Sequence, residues 1–141
     1  MNNYKINHFA VWVMVIFYMV SNMAWYGIFS QPWMALSNIS EMQIQGMGSP
    51  MFPYIIALLH AVAMFYTLAW LLIKLDAMMY GKAILFSFIV WFSLIFLDAA
   101  TKDQFSMRTL ALTMINEGIT LVNMLVASLV IVVWKKKSKN V

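Results

Sequence analysis

Long runs of apolar residues, separated by short polar segments, divide the chain into four parts. The runs lie at about residues 8–28, 51–73, 83–98 and 109–134. A helix needs about 20 predominantly apolar residues to cross a bilayer, and each run is close to or above that length. Most connecting segments are short, which makes consecutive helices antiparallel neighbours. The pattern therefore predicts one all-α membrane domain over residues 1–141, built as a four-transmembrane-helix bundle.

The composition points to lipid as the solvent of this domain. The 141 residues are 64% hydrophobic and 10% charged, against roughly half and about a quarter in soluble domains. A soluble domain of this size has too little interior to hide so much apolar surface.

The first run ends in Trp25 and Tyr26, without a small-residue cleavage site. It is therefore expected to stay in the protein as a helix and not to be removed as a signal.

The charges are divided unevenly between the two sides of the predicted bundle. If the amino terminus is cytoplasmic, the basic residues inside are Lys5, Lys74, Lys82, Lys135, Lys136, Lys137 and Lys139. Only Lys102 and Arg108 fall outside. The positive-inside rule then places both termini in the cytoplasm. Because most of the lysines flank apolar runs, the net charge of +4 indicates contact with lipid and not with nucleic acid.

The longest connection, residues 29–50, carries no lysine or arginine and should form an outer loop between the first two helices. Pro32 and Trp33 predict a short interfacial turn. Ser40 with Gln43 fits a capping box for a brief helix that ends at a pair of glycines. Such a helix would lie on the outer membrane surface or fold over the mouth of the bundle.

The fourth run carries polar residues at helical spacing. The polar residues are Thr109, Thr113, Asn116, Glu117, Thr120 and Asn123, and the small residue Ala127 lies on the same face. At about 100° per residue they occupy an arc of roughly 120°. This face is expected to look into the bundle, because polar groups in lipid need partners.

Depth in the membrane suggests which polar groups meet. At about 1.5 Å per residue, Glu117 lies about 12 Å, His60 about 13–14 Å and Asn22 about 9 Å from the outer ends of their helices. These three are predicted to share one layer in the outer half of the membrane, with Asp98 guarding the mouth. The candidate ligand-binding residues are Glu117, His60, Asn116, Asn22, Trp25, Thr120 and Asp98.

Several kinds of chemistry are excluded. The chain has no cysteine, so it has no disulfides, thiolate nucleophiles or cysteine-ligated zinc or iron–sulfur clusters. His8 and His60 should lie about 20 Å apart along the membrane normal, too far to ligate one haem or one metal ion. Glycine-rich phosphate loops, His-Glu-x-x-His helices and nucleophile elbows are missing. No cofactor, metal site or catalytic residue is predicted.

The stretch SNMAWYGIFSQPWM at the end of the first run resembles the domain-of-unknown-function family 1761, small bacterial membrane proteins. The matching positions are Trp25, Tyr26, Phe29, Trp33 and Met34. The family's Ile-Asn-x-Gly pattern in the last helix is matched by Ile115, Asn116 and Gly118. The resemblance runs from Ile6 to Trp134 and implies the same order of four helices and a place in a bacterial inner (plasma) membrane. No activity comes with it.

Two positions depart from the family pattern. Gly27 and Ile28 replace the usual Ser-Pro after the Trp-Tyr pair, and the acidic Glu117 is unusual between the asparagine and the glycine. A role of Glu117 that is shared by the whole family is therefore not implied.

Three functions remain open at this point. Intramembrane ionisable groups are functional by default, so Glu117 and His60 favour binding or transport of a small cationic or protonatable ligand. A chain with only four spans would be expected to form a homodimer to build a pathway. The alternative is a non-catalytic accessory subunit of a larger membrane complex, in which the polar groups act only as interhelical hydrogen bonds. The third is a membrane enzyme with Glu117 and His60 as an acid–base pair on a lipid, for which no residue pattern names a substrate.

Overall fold

A computed structural model of the protein describes residues 4–46, 48 and 51–137. Lys139 and Pro50 lie outside the described residues. Four helices are long and apolar enough to cross a membrane: His8–Ile28, Met51–Lys74, Tyr80–Phe105 and Leu110–Val133, called the first to fourth spans below. The predicted all-α fold with four membrane-spanning helices is confirmed.

The third span is longer than the predicted stretch of residues 83–98. Hydropathy falls after Leu97, where the sequence reads LDAATKDQF, yet the helix continues through this polar segment to Phe105. These residues are compatible with a helix, and Lys102 forms an ion pair with Asp98 one turn earlier. The end of the apolar run therefore marks the end of the membrane-buried part and not the end of the helix.

The middle of the third span is a π-helical segment, Trp91–Phe96. Phe92 stacks on Phe88 and on Phe96, with ring centroids 5.9 and 5.8 Å apart. Trp91 lies on the bundle side, where it is 6% exposed. Its indole N–H donates to the backbone carbonyl of Glu117 at 2.8 Å. This bond connects the irregular part of the third span to the fourth span.

The fourth span is the centre of the bundle, because it packs against each of the other three. Its buried residues include Met124 and Ala127, which join the first-span residues Met14 and Val15 and the second-span Phe65 in one core. The predicted polar face points inward. Thr113, Thr120 and Asn123 are buried, and Asn116 and Glu117 are half-buried. Thr109 differs, because it is exposed at the cap that precedes the helix.

The outer loop contains two short helices, Ser30–Ser37 and Glu41–Gln45. The predicted turn at Pro32 is wrong. Pro32 is the third residue of the first loop helix, where the backbone N–H that proline lacks would have no helical partner anyway. This helix packs on the first and fourth spans and covers the mouth of the bundle. The predicted capping box is confirmed, since Ser40 and Gln43 bond each other reciprocally at the start of the second loop helix.

The two ends of the described chain lie together at the opposite end of the bundle. Strand β1 (Tyr4–Lys5) pairs antiparallel with β2 (Lys136–Lys137). Asn7 reinforces the pairing, since its side-chain amide donates to the backbone carbonyl of Trp134 at 2.8 Å. An even number of antiparallel spans brings the ends to one side, and this small sheet connects them there.

The natural absence of cysteine permits a direct test of orientation. Lys137→Cys and Gln45→Cys, both exposed positions at opposite ends of the bundle, are introduced singly and treated with a membrane-impermeant maleimide. We expect Gln45→Cys to react in intact cells and Lys137→Cys to react only after permeabilisation, because the lysine-rich end should face the cytoplasm. The cysteine-free parent is the control. The reverse pattern would contradict the predicted orientation, and labelling of both positions from one side would contradict four crossings.

Candidate functional site

The end of the bundle that carries the loop between the first two spans, called the outer end after the predicted orientation, is held by an aromatic clamp. The clamp is defined here as Trp25 and Tyr26 of the first span with Trp33 of the first loop helix. Trp25 donates its indole N–H to the backbone carbonyl of Ile115 at 2.9 Å. The Tyr26 hydroxyl and the Trp33 indole N–H both donate to the side-chain oxygen of Asn116, at 3.2 and 3.1 Å. The clamp thus connects the first span, the loop and the fourth span at one turn.

Gly118 lies directly against the clamp. A Cβ atom at Gly118 would lie 3.4 Å from the six-membered ring of Trp25, so the indole already rests in van der Waals contact with this turn. Phe29 covers the other part of the indole, with ring centroids 4.6 Å apart. A larger side chain at Gly118 would displace Trp25 and its bond to Ile115.

A second set of polar contacts connects the first span to the second and fourth spans nearer the membrane centre. The Tyr18 hydroxyl lies 3.2 Å from Nδ1 of His60, and the two rings meet edge to face. Ser21 donates to the side-chain oxygen of Asn123 at 2.8 Å. The side chain of Asn22 donates to the backbone carbonyl of Tyr18 at 2.8 Å. His60 therefore meets Tyr18, and not Glu117 as the depths of the two residues had suggested.

A groove of about 360 Å³ lies between the outer halves of the first and second spans. Its lining residues are Tyr18, Met19, Asn22, Met23, Tyr26, Pro53, Tyr54 and Ala57. Tyrosine and asparagine supply polar atoms, while the methionines and the proline make the remainder apolar. The groove is open along its side, and it brings together the predicted Asn22 with three tyrosines that the sequence interpretation did not include.

Glu117 lies behind this groove. Its carboxylate interacts with Thr120, one turn later in the same helix. It also lies within electrostatic range of Tyr18 and Tyr26 of the groove wall and of Asp98 and Asp103 of the third span. The bond of this residue to another span runs through its backbone carbonyl, which accepts from Trp91. Within the part of the chain that the structure describes, the carboxylate itself connects no two spans.

The two aspartates at the outer end of the third span have different surroundings. Asp98 and its ion-pair partner Lys102 are both exposed. Asp103, whose side chain is only 14% exposed, lies 3.7 Å from Arg108 and accepts a hydrogen bond from Thr113 at 2.7 Å. Asp103 is thus the carboxylate that contacts the polar face of the fourth span. The sequence interpretation missed it because the third span was expected to end before it.

The described residues hold no group of three or more histidine, cysteine, aspartate or glutamate side chains that could bind a metal ion. The polar groups of this region include hydroxyls, amides, the imidazole of His60 and the carboxylate of Glu117. Such a set can hold and orient an organic ligand by hydrogen bonds and charge, which is the chemistry the arrangement allows.

The Trp33–Asn116 bond can be measured with a double-mutant cycle of Trp33→Phe and Asn116→Leu. We expect each single variant to lower the free energy of unfolding, with a coupling of about 0.6 to 1.7 kcal/mol, as for other side-chain hydrogen bonds between membrane helices. The measurement is reversible unfolding in mixed micelles. Trp12→Phe with Asn116→Leu is the matched control, because Trp12 is 48% exposed on the first span. Equal coupling in both cycles would show that the bond contributes nothing specific.

Comparison with known proteins places this geometry in a family. No curated protein and no solved structure matches the chain. The family model described as "Protein of unknown function (DUF1761)" matches residues 9–132, which includes the clamp, the groove and Glu117. The two segments that carried the resemblance, the Trp-Tyr stretch and the Ile-Asn-x-Gly pattern, are the two sides of the aromatic clamp. The chain belongs to the DUF1761 family, whose function is unknown.

Proposed function

We propose that this integral membrane protein binds a small amphipathic cation in the groove between its first and second spans, with Glu117 as the attracting charge. The observation that carries the proposal is the position of the Glu117 carboxylate. It lies in the fourth span, beside the groove, and forms no hydrogen bond with another span among the described residues. A charged group is costly at this depth, and a carboxylate that holds no helices together has no structural reason to be there.

The lining of the groove suits a cation that carries apolar groups. Aromatic rings such as those of Tyr18, Tyr26 and Tyr54 attract cations through their faces, and the effect is stronger where water is excluded. Met19 and Met23 supply adaptable apolar surface. The volume of about 360 Å³ lies within the range of small-molecule sites.

The second span leaves an entry path from the bilayer. Of its first ten residues, 51–60, all except Ala57 are exposed, so this half of the helix is not covered by the rest of the bundle. A ligand dissolved in the lipid can therefore reach the groove from the side. With both termini in the cytoplasm of a bacterial cell, the groove opens to the outer leaflet, and a homodimer would join two such grooves in a transport pathway.

The same exposed half of the second span favours a second candidate function. A helix exposed around most of its circumference can pack against a helix of a larger membrane complex, and the small side chain of Ala57 permits close approach. In this case the protein is an accessory subunit, and the groove is the place where the partner helix lies.

Binding of tetraphenylphosphonium, a lipophilic cation, tests the first function. We expect saturable binding to the native protein in lipid nanodiscs, measured by equilibrium dialysis against empty nanodiscs. Glu117→Gln should weaken binding by roughly tenfold, because it removes one charge at a site with little water. Glu41→Gln is the matched control, since Glu41 is exposed on the second loop helix. Unsaturable binding equal to that of empty nanodiscs would reject the cation site, and equal weakening by both variants would reject the role of Glu117.

The stability of Glu117→Gln tests whether the carboxylate is a structural element. Glutamine keeps the length of the side chain and can still bond Thr120, so the unfolding free energy should change by less than about 0.5 kcal/mol or rise. The measurement is thermal unfolding in nanodiscs, with Asn116→Leu as the destabilised comparison. A loss of about 2 kcal/mol or more would identify Glu117 as a hydrogen-bonding centre and favour the accessory role.

A further inference from the structure

We propose that the end of the bundle where strands β1 and β2 pair contains a binding site for one anionic phospholipid, with its phosphate between Lys5 and Lys74. This site lies at the opposite end of the molecule from the groove beside Glu117. It shares no residue with that groove, so either proposal can fail without the other.

An open groove of about 540 Å³ defines the site. Its lining residues are Tyr4, Lys5, Ile6, Trp70, Ile73, Lys74 and Asp76. Lys5 lies just before the first span and Lys74 is the last residue of the second, so both ammonium groups are at the level where lipid headgroups lie. Two lysines on one groove at this depth match the charge and the position of a lipid phosphate.

The aromatic and apolar residues of the groove fit the upper part of a lipid molecule. Trp70 is 51% exposed and lies one helical turn from Lys74 towards the membrane interior. Tryptophan and tyrosine are enriched at this depth because their rings combine an apolar body with a polar atom. Trp70 and Ile73 would contact the glycerol and the first carbons of the acyl chains below the phosphate.

The small terminal sheet gives an independent reason for an anion. In its register Lys5 lies directly opposite Lys136, and like charges at opposed positions of a strand pair repel each other. Lys135 adds a further charge, with its ammonium 5.7 Å from the centre of the Tyr4 ring. The chain thus concentrates positive charge at the point where its two ends are joined, and a bound phosphate would turn this repulsion into attraction.

The balance of charge at this end favours an anionic lipid over a zwitterionic one. The lysines here are Lys5, Lys74, Lys82, Lys135, Lys136 and Lys137, and Asp76 is the acidic residue among them in the described part of the chain. Asp76 already takes part in an interaction of its own. The net positive charge of this end makes phosphatidylglycerol, an anionic lipid, the probe of the experiment.

The experiment measures which lipid the protein retains. The full chain is placed in nanodiscs of phosphatidylethanolamine and phosphatidylglycerol, and the lipids that remain bound after gentle release are counted by native mass spectrometry. We expect one retained phosphatidylglycerol on the native protein. The double variant Lys5→Gln with Lys74→Gln should lose the preference for phosphatidylglycerol by roughly tenfold, while Lys5→Arg with Lys74→Arg keeps it.

The matched control removes the same charge from the same end. Lys82 and Lys137 are exposed there but do not line the groove, so Lys82→Gln with Lys137→Gln should retain the preference. Equal loss in both double variants would show a general surface attraction and overturn the proposal. Retention of phosphatidylethanolamine in place of phosphatidylglycerol would overturn it as well, as would full displacement of the lipid by millimolar inorganic phosphate. Circular dichroism of each variant confirms that the helices are intact.

Discussion

Polar side chains that lie in the bilayer need hydrogen-bond partners within the protein, since lipid offers none. Among the described residues, Ser87 of the third span is an exception, because its hydroxyl is buried without a partner. The fourth span is where this constraint is met. It contacts all three other spans, and its polar face accepts or donates hydrogen bonds with the first span, the third span and the outer loop. Asn123 is 0% exposed and accepts a hydrogen bond from Ser21. Asn116 accepts hydrogen bonds from two aromatic side chains. The positions of the other helices follow from these bonds and from the apolar core beneath them.

Two adjacent residues of the fourth span differ in whether their side chains form hydrogen bonds with other parts of the fold. The side-chain oxygen of Asn116 accepts hydrogen bonds from Tyr26 and Trp33, so this residue stabilises the fold. The carboxylate of Glu117 bonds Thr120 in its own helix, and the residue is held to the third span by its backbone instead. A charge that the fold does not use is the feature expected of a site. That contrast could not be predicted from composition or spacing, because both residues lie on the same polar face.

Much of the fold could be predicted from the chain, because bilayer thickness translates directly into the length of apolar runs. The first span begins and ends where hydropathy predicts, and the polar face of the fourth span points inward as its 3.6-residue period requires. The end of the third span could not be located in this way. Hydropathy reports where a helix leaves the lipid, and the segment up to Phe105 continues as a helix beyond that level. The helix around Pro32 could not be predicted for a different reason. Proline indicates a turn unless it is known to lie in the first turn of a helix.

The site was harder to predict than the fold, because depth alone does not determine which residues meet. Glu117 and His60 lie at similar depths, yet rotation of the second span directs His60 to Tyr18. The aromatic residues of the outer end could be recognised as motif positions, and Trp25 was also predicted to bind a ligand. Their role as hydrogen-bond donors could not be predicted, since the bond from Trp33 to Asn116 requires the loop helix to be in place.

The residues of the family pattern and the residue proposed to attract a cation have different roles in this protein. The Trp-Tyr and Ile-Asn-x-Gly segments meet in the aromatic clamp, so the residues that define the resemblance are explained by helix packing. Glu117, which stands between Asn116 and Gly118 as a departure from that pattern, is the residue that the clamp does not use. Any activity that depends on Glu117 would then belong to this chain and to relatives with a carboxylate at the same place. The clamp itself would be common to the fold, because it needs only the asparagine, the glycine and the aromatic donors.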